Sequence, residues 1–265
     1  LEPSATEKLK ITVTGQEAAK VKTDESNLAY VAFVTLYDRL KQSPPPVAIH
    51  INMQVPLARG LGSSATAIVG GLVGANELAG APLSQVEVMQ LAIELEGHPD
   101  NVVPALLGGC RLAASHTPGG SWEICDIPWH PDIVPVVAIP DFELSTAEAR
   151  RVLPADYSRA DAIFNAAHLG LLVRALETGD RDWLRCALQD KIHQPYRRSL
   201  IRGYEAVQEA AVNAGACGMV ISGAGPTLLA LTDVTNADAV VREMATAWME
   251  FGVKADVRAI SLDNQ

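Results

Sequence analysis

Two glycines one residue apart stand directly before two serines in Pro56-Leu57-Ala58-Arg59-Gly60-Leu61-Gly62-Ser63-Ser64-Ala65-Thr66. Gly60 and Gly62 let the backbone approach a ligand with no Cβ in the way. Ser63 and Ser64 add hydroxyls that can bond a phosphate or reach a bound cation. A second cluster, Glu96-Gly97-His98-Pro99-Asp100-Asn101, gathers polar and turn-forming residues into six positions. A carboxylate is a hard ligand suited to Mg²⁺, which keeps several waters and takes only one or two protein oxygens. Asn and Asp can fix an attacking hydroxyl, and His can bond a carboxylate or an amine. A helix C-cap with solvated side chains accounts for the same six residues equally well. A third stretch, Ser222-Gly223-Ala224-Gly225-Pro226, joins two apolar runs through a glycine turn.

The elements that must hold these residues follow from local pattern. Val47, Ile49, Ile51 and Met53 alternate with Ala48, His50 and Asn52, which predicts a strand leading into the first glycine loop. A helix from Ser63 to about Leu78 leaves it, rich in Ala and Gly and so suited to close packing. The first free N–H groups of such a helix and the positive end of its dipole face an anion. The loop is not of the Walker type, since no Lys follows the glycines. Nor does a second strand end in an acidic residue about 20 positions on, as a dinucleotide fingerprint requires. Ser84-Gln85-Val86-Glu87 predicts a capped helix to Glu96, and Val102–Leu107 a short one after the polar cluster. Cys110–Ser115 and Ser121–Ile127 read as a hairpin across Thr117-Pro118-Gly119-Gly120. Pro128–Pro131 marks a domain boundary, giving residues 1–130 and 131–265 as two domains. Beyond it come a strand at Val134–Ile139, a helix capped by Ser145-Thr146, and helices over Ala160–Thr178, Asp182–Ile192 and Ile201–Ala214. Strands at Gly218–Ile221 and Thr227–Thr232, a helix starting near Asn236 and a strand at Asp256–Ile260 complete the chain. Strands and helices mix without strict alternation, which makes the class α+β.

At 265 residues, 48% hydrophobic and 20% charged, the chain can bury one large core or two ordinary ones. A net charge of −10 argues against a nucleic-acid or anionic-membrane partner, and no apolar run is long enough to cross a membrane. Cys110, Cys125, Cys186 and Cys217 are widely spaced, with no C-x-x-C. They read as buried thiols of a reducing compartment and place the protein in the cytoplasm.

The wording of these stretches is more specific than their physics. P-x-x-x-G-L-G-S-S-A from Pro56 resembles the nucleotide loop of the GHMP small-molecule kinases. E-G-H-P-D-N-V-x-P-A-L-L-G-G, Glu96 to Gly109, resembles the second signature of the homoserine kinases within that superfamily, and S-G-A-G-P-T-L-L-A from Ser222 their C-terminal glycine turn. Ser145 to Pro154 resembles the family's T-x-x-A-R-x-x-L-P segment, and His193-Gln194-Pro195-Tyr196-Arg197 its H-x-P-Y-R segment. The resemblance implies a two-domain fold, ribosomal-S5-like at the N-terminus and ferredoxin-like at the C-terminus. It implies phosphorylation of L-homoserine by ATP with Mg²⁺, in threonine biosynthesis. By it, Pro56 to Thr66 would wrap the ATP phosphates, and Ser64 and Glu96 would be the protein ligands of Mg²⁺. Asn101 would hold the substrate hydroxyl in line with the γ-phosphate, and His98 and Asp100 would line the amino-acid site. Arg150 and Arg197 would meet the substrate carboxylate, Arg151 being the solvated neighbour, and Gly223, Ala224 and Gly225 would close the site by backbone approach. Asp100 is the nearest candidate for a general base, and whether one is used stays open. The resemblance also implies a possible homodimer.

One family feature has no counterpart. The earlier signature V-P-A-x-x-A-N-L-G-P-G-F-D has no match within Leu1–Val55, so about 35 residues are expected to precede this chain in an ordinary member. Two alternatives follow: a truncated or catalytically inactive homologue, or a GHMP kinase for another small alcohol. Two arginines for a carboxylate argue against the second.

Overall fold

The structure is a computed structural model describing residues 1–4, 7–117 and 120–263. The chain forms two compact units, one of Leu1–Leu57 with Gly62–Asp126, the other of Ala58–Leu61 with Ile127–Asp263. Both mix helices with sheet, as the α+β class requires.

In the first unit the order is β1 (Glu2–Pro3), β2 (Leu9–Gly15), α1 (Leu28–Arg39), β3 (Val47–Met53), α2 (Ser63–Leu78), α3 (Gln85–Glu96), α4 (Pro99–Leu107), β4 (Cys110–Ser115) and β5 (Trp122–Ile127). β2 and β3 pair in parallel with Ile11 opposite Ile49, and β1 joins the outer edge of β3. Parallel strands need a crossover, which α1 supplies. Asn27 caps α1 by accepting from the Ala29 N–H at 2.9 Å. The small residues of α2 have the packing role their composition suggests, because a Cβ on Gly71 would lie 2.3 Å from the Ala29 carbonyl oxygen. Phe33, Leu36, Ile49, Leu72, Val102 and Val103 form the centre of this core. The capping box at Ser84 is complete, since Ser84 accepts from the Glu87 N–H and Glu87 accepts from the Ser84 N–H. β4 and β5 pair as the expected hairpin; Pro118 and Gly119 of its turn lie outside the described residues.

In the second unit follow β6 (Ile133–Pro140), α5 (Thr146–Arg151), α6 (Arg159–Thr178), α7 (Arg181–Ala187), α8 (Gln194–Arg197), α9 (Tyr204–Asn213), β7 (Gly218–Ile221), β8 (Leu228–Asp233), α10 (Ala237–Glu250) and β9 (Ala255–Ala259). The sheet is antiparallel in the order β7-β8-β6-β9. Its apolar residues Val136, Ala138, Leu228 and Ala230 share a core with Tyr204 and Val207 of α9 and Met244 and Trp248 of α10.

Four local expectations are corrected. α4 begins at Pro99, not Val102, with Pro at the first helical position where its missing N–H costs nothing. α7 stops at Ala187 rather than Ile192. The chain turns there because the Asp190 carboxylate collects the N–H groups of Ile192, His193 and Gln194. α9 begins at Tyr204, not Ile201, because Gly203 at φ 76° breaks the turn before it. Of the four cysteines only Cys217 is buried; Cys125 and Cys186 are exposed, and all four are free thiols.

Candidate active site

The sequence-marked residues of the first unit gather at the N-termini of two helices. Ser63 and Ser64 open α2, and Gly62 is its N-cap at φ 69° with no side-chain cap. The opening N–H groups of the helix have no intrahelical acceptor. Ser64 donates its hydroxyl to Oε1 of Glu96 at 2.7 Å. This joins the first turn of α2 to the last of α3, 32 residues on. Gly97 ends α3 at φ 86°, and His98, in extended conformation, caps α4. The early start of α4 places Asp100 and Asn101 in its first turn. His98 Nδ1 lies against the Asp100 carboxylate without a hydrogen bond to it, and Asn101 donates its amide to the same carboxylate over 3.5 Å, a weak contact. Asn101 Oδ1 faces the loop: a Cβ on Gly62 would sit 3.3 Å from it. Leu57, just upstream in the loop, donates its N–H to Glu17 at 2.7 Å.

Ala58–Leu61 of the same loop pack in the second unit. Here the Arg59 side chain points inward, only 7% exposed. Its Nε donates to the Pro140 carbonyl at 3.0 Å and Nη2 to that of Asp141 at 3.1 Å, and Nη1 pairs with Glu143 at 3.3 Å. This inward course was not legible in the loop sequence, where Arg59 reads as one of the phosphate-wrapping residues. Its partners lie about eighty residues away, beyond any local pattern.

Arg150 and Arg151 are the last two residues of α5, whose capping box at Ser145 and Glu148 is complete, and both are exposed. Arg197 ends α8 and is half-buried. Its Nε donates to the Ala149 carbonyl at 3.2 Å and Nη1 to that of Gly223 at 3.0 Å. Burial lowers the Arg197 pKa, and nearby Arg150 adds to the effect, while Asp190 opposes it. Asp190 is the residue that sequence reading missed. Burial alone would raise its carboxyl, but hydrogen bonds from Asn165, Gln194, Ile192 and His193 outweigh burial and hold it below the usual carboxylate range. Its only signal in the sequence is its place just ahead of the His193–Arg197 segment. Among the described residues no group of three or more His, Cys, Asp or Glu could hold a metal ion, and no helix is long and apolar enough to cross a membrane.

This helix-terminus geometry is accompanied by family matches on both halves of the chain. The family model described as GHMP kinases N terminal domain matches residues 27–109, and GHMP kinases C terminal matches residues 172–250. The homoserine kinase of Trichormus variabilis is 70% identical over 258 residues, covering 97% of this chain and 85% of that protein. That of Microchaete diplosiphon is 70% identical over 255 residues, covering 96% and 82%. Among solved structures, a homoserine kinase from Cytophaga hutchinsonii matches with a TM-score of 0.90 at 28% identity, covering 99% of this chain and 84% of that one. Mevalonate kinase from L. major, at 18% identity and a TM-score of 0.73 over 99% of this chain and 85% of that one, shares the fold. The chain belongs to the homoserine kinases of the GHMP kinase family.

Proposed function

We propose that this chain transfers the γ-phosphoryl group of ATP to the hydroxyl of L-homoserine, yielding ADP and O-phospho-L-homoserine for threonine biosynthesis. The observation that carries the chemistry is the Ser64–Glu96 contact of 2.7 Å at the open N-terminus of α2. A hydroxyl and a carboxylate meet where free N–H groups favour phosphate. The pair fits Mg²⁺, a hard cation that takes few protein oxygens and fills its sphere with water and phosphate. When bound, Mg²⁺ supplies neutralisation of the charge spread over the phosphate oxygens.

The remaining work falls to the chain's own residues. The N–H groups of the loop and the first turn of α2 hold the phosphates. Asn101, beside Gly62, orients the substrate hydroxyl. The Asp100 carboxylate stands beside His98 and the Asn101 amide. Arg150 and Arg197 take the substrate carboxylate, which fixes the amino acid by its charged end and leaves its hydroxyl to react. Catalysis of this kind rests on positioning and charge, with no covalent intermediate.

The test is ADP release by the full-length protein with L-homoserine, R-mevalonate and D-galactose, with the product identified by ³¹P NMR. Turnover confined to L-homoserine, and a Glu96→Gln variant that keeps its fold and loses about a hundredfold in kcat, are the expected results. Turnover of the other alcohols but not L-homoserine would overturn the assignment, and so would an unimpaired Glu96→Gln enzyme.

A further inference from the structure

Every carbonyl from Ala58 to Gly60 is engaged by other residues of the second unit, to which this segment belongs. The Ala58 carbonyl accepts from the Leu144 N–H at 3.1 Å and the Arg59 carbonyl from the Thr227 N–H at 3.2 Å. The Gly60 carbonyl accepts from the Ser222 hydroxyl at 2.8 Å. Loop and glycine turn also touch backbone to backbone. A Cβ on Gly60 would lie 2.3 Å from the Ser222 carbonyl oxygen and 2.9 Å from the Gly225 nitrogen, and one on Gly223 would lie 3.3 Å from the Gly60 oxygen. One residue further along the turn, the Gly223 carbonyl accepts from Arg197. Gln194, at the start of the helix that carries Arg197, accepts from the Ile221 N–H at 3.2 Å. An unbroken run of contacts therefore joins Gly60, Ser222, Gly223 and Arg197.

We propose that Ser222 is a positioning residue that couples the two substrates, so that carboxylate at Arg197 and nucleotide phosphate at the Ala58–Leu61 end of the loop bind cooperatively. The inference rests on the functional reading above, in which Arg197 meets the amino acid and the loop meets ATP. The guanidinium that receives the carboxylate is itself bonded to the turn, so fixing it fixes Gly223. With no free space at Gly60, the turn cannot settle without settling the loop. The Ser222 hydroxyl supplies a side-chain bond directly from the turn to the loop. Coupling of this kind is reciprocal: each ligand tightens the other by the same factor.

The experiment measures the affinity of the β,γ-imido analogue of ATP by calorimetry, with and without saturating L-homoserine, and the reverse. Wild type is expected to show coupling of about fivefold or more in both directions. Ser222→Ala brings that factor close to one while each ligand alone binds within about threefold of wild type, and Ser222→Thr, which keeps the hydroxyl, restores it. A purely structural role would weaken both ligands and leave the coupling intact. If Ser222→Ala does not fold, Arg59→Lys is used, which loosens the same segment from its other side and is expected to lower the coupling. Wild type that binds both ligands without coupling, or a Ser222→Ala protein with coupling intact, overturns this inference alone. Failure of wild type to bind L-homoserine instead overturns the functional reading.

Discussion

Three glycines within eleven residues should respond to the same Gly→Ala change in three ways. Gly60 has φ 72° and Gly62 φ 69°, whereas Gly70, in the middle of α2, has no left-handed conformation. At Gly60 the new methyl meets backbone, 2.3 Å from the Ser222 oxygen, and no rotamer change can relieve it. Left-handed strain of about 1–2 kcal/mol and an overpacking cost of about 1–3 kcal/mol sum to about 2–5 kcal/mol. At roughly 2–4 °C per kcal/mol, the melting midpoint should fall by about 4–20 °C. The KM for ATP should rise at least about tenfold, because the loop must move to make room. At Gly62 the nearest atom is a side-chain oxygen, Asn101 Oδ1, at 3.3 Å, which can yield by a few tenths of an ångström. There only the strain remains, about 1–2 kcal/mol, and the damage should fall on kcat through displaced Asn101. At Gly70 a Cβ meets nothing within 4 Å, so Ala should stabilise by about 0.8–1 kcal/mol from helix propensity alone. Differential scanning calorimetry of the three variants, with ATP kinetics on each, decides the matter. A Gly60→Ala protein that melts within a degree of wild type, with unchanged KM for ATP, would refute the argument that backbone contact holds the loop.

Two further predictions concern the amino-acid side of the site. Arg150→Ala should raise the KM for L-homoserine by about ten- to hundredfold, the worth of a charge-assisted hydrogen bond, whereas Arg151→Ala should leave it within about twofold; steady-state kinetics would refute the assignment if the two behaved alike. Asp190→Asn should cost about 1–2 kcal/mol at pH 7, a discount on a charged hydrogen bond for a half-buried group, and raise the KM for L-homoserine by loosening the segment that carries Arg197. Because the Asp190 pKa is lowered on folding, its contribution is present above the unfolded value and is lost as pH falls through the folded one. The gap between wild type and Asp190→Asn, followed by urea denaturation, should therefore close in acid below about pH 4; a gap constant down to pH 2 would contradict that reading.

Where a signal is local, the sequence carries it. The helix Ser63–Leu78 has the expected bounds, the capping box of Ser84 with Glu87 closes as its spacing requires, and Ser145 caps α5 as expected. Caps, glycine turns and alternating strands depend on residues within four positions of each other, so composition is enough to place them. The early start of α4 was also written locally, in Pro99 and the acidic Asp100 that follows it.

What only the tertiary structure decided is where distant segments meet. The Ser64–Glu96 contact spans 32 residues, Arg59 reaches its carbonyl partners across 81 and 82, and Ser222 meets Gly60 across 162. Asp190 has its role because four donors from two segments converge on one carboxylate. No periodicity encodes such pairs. They exist because the core brings those backbones together, and buried polar groups such as the Arg59 guanidinium must find partners where the fold places them.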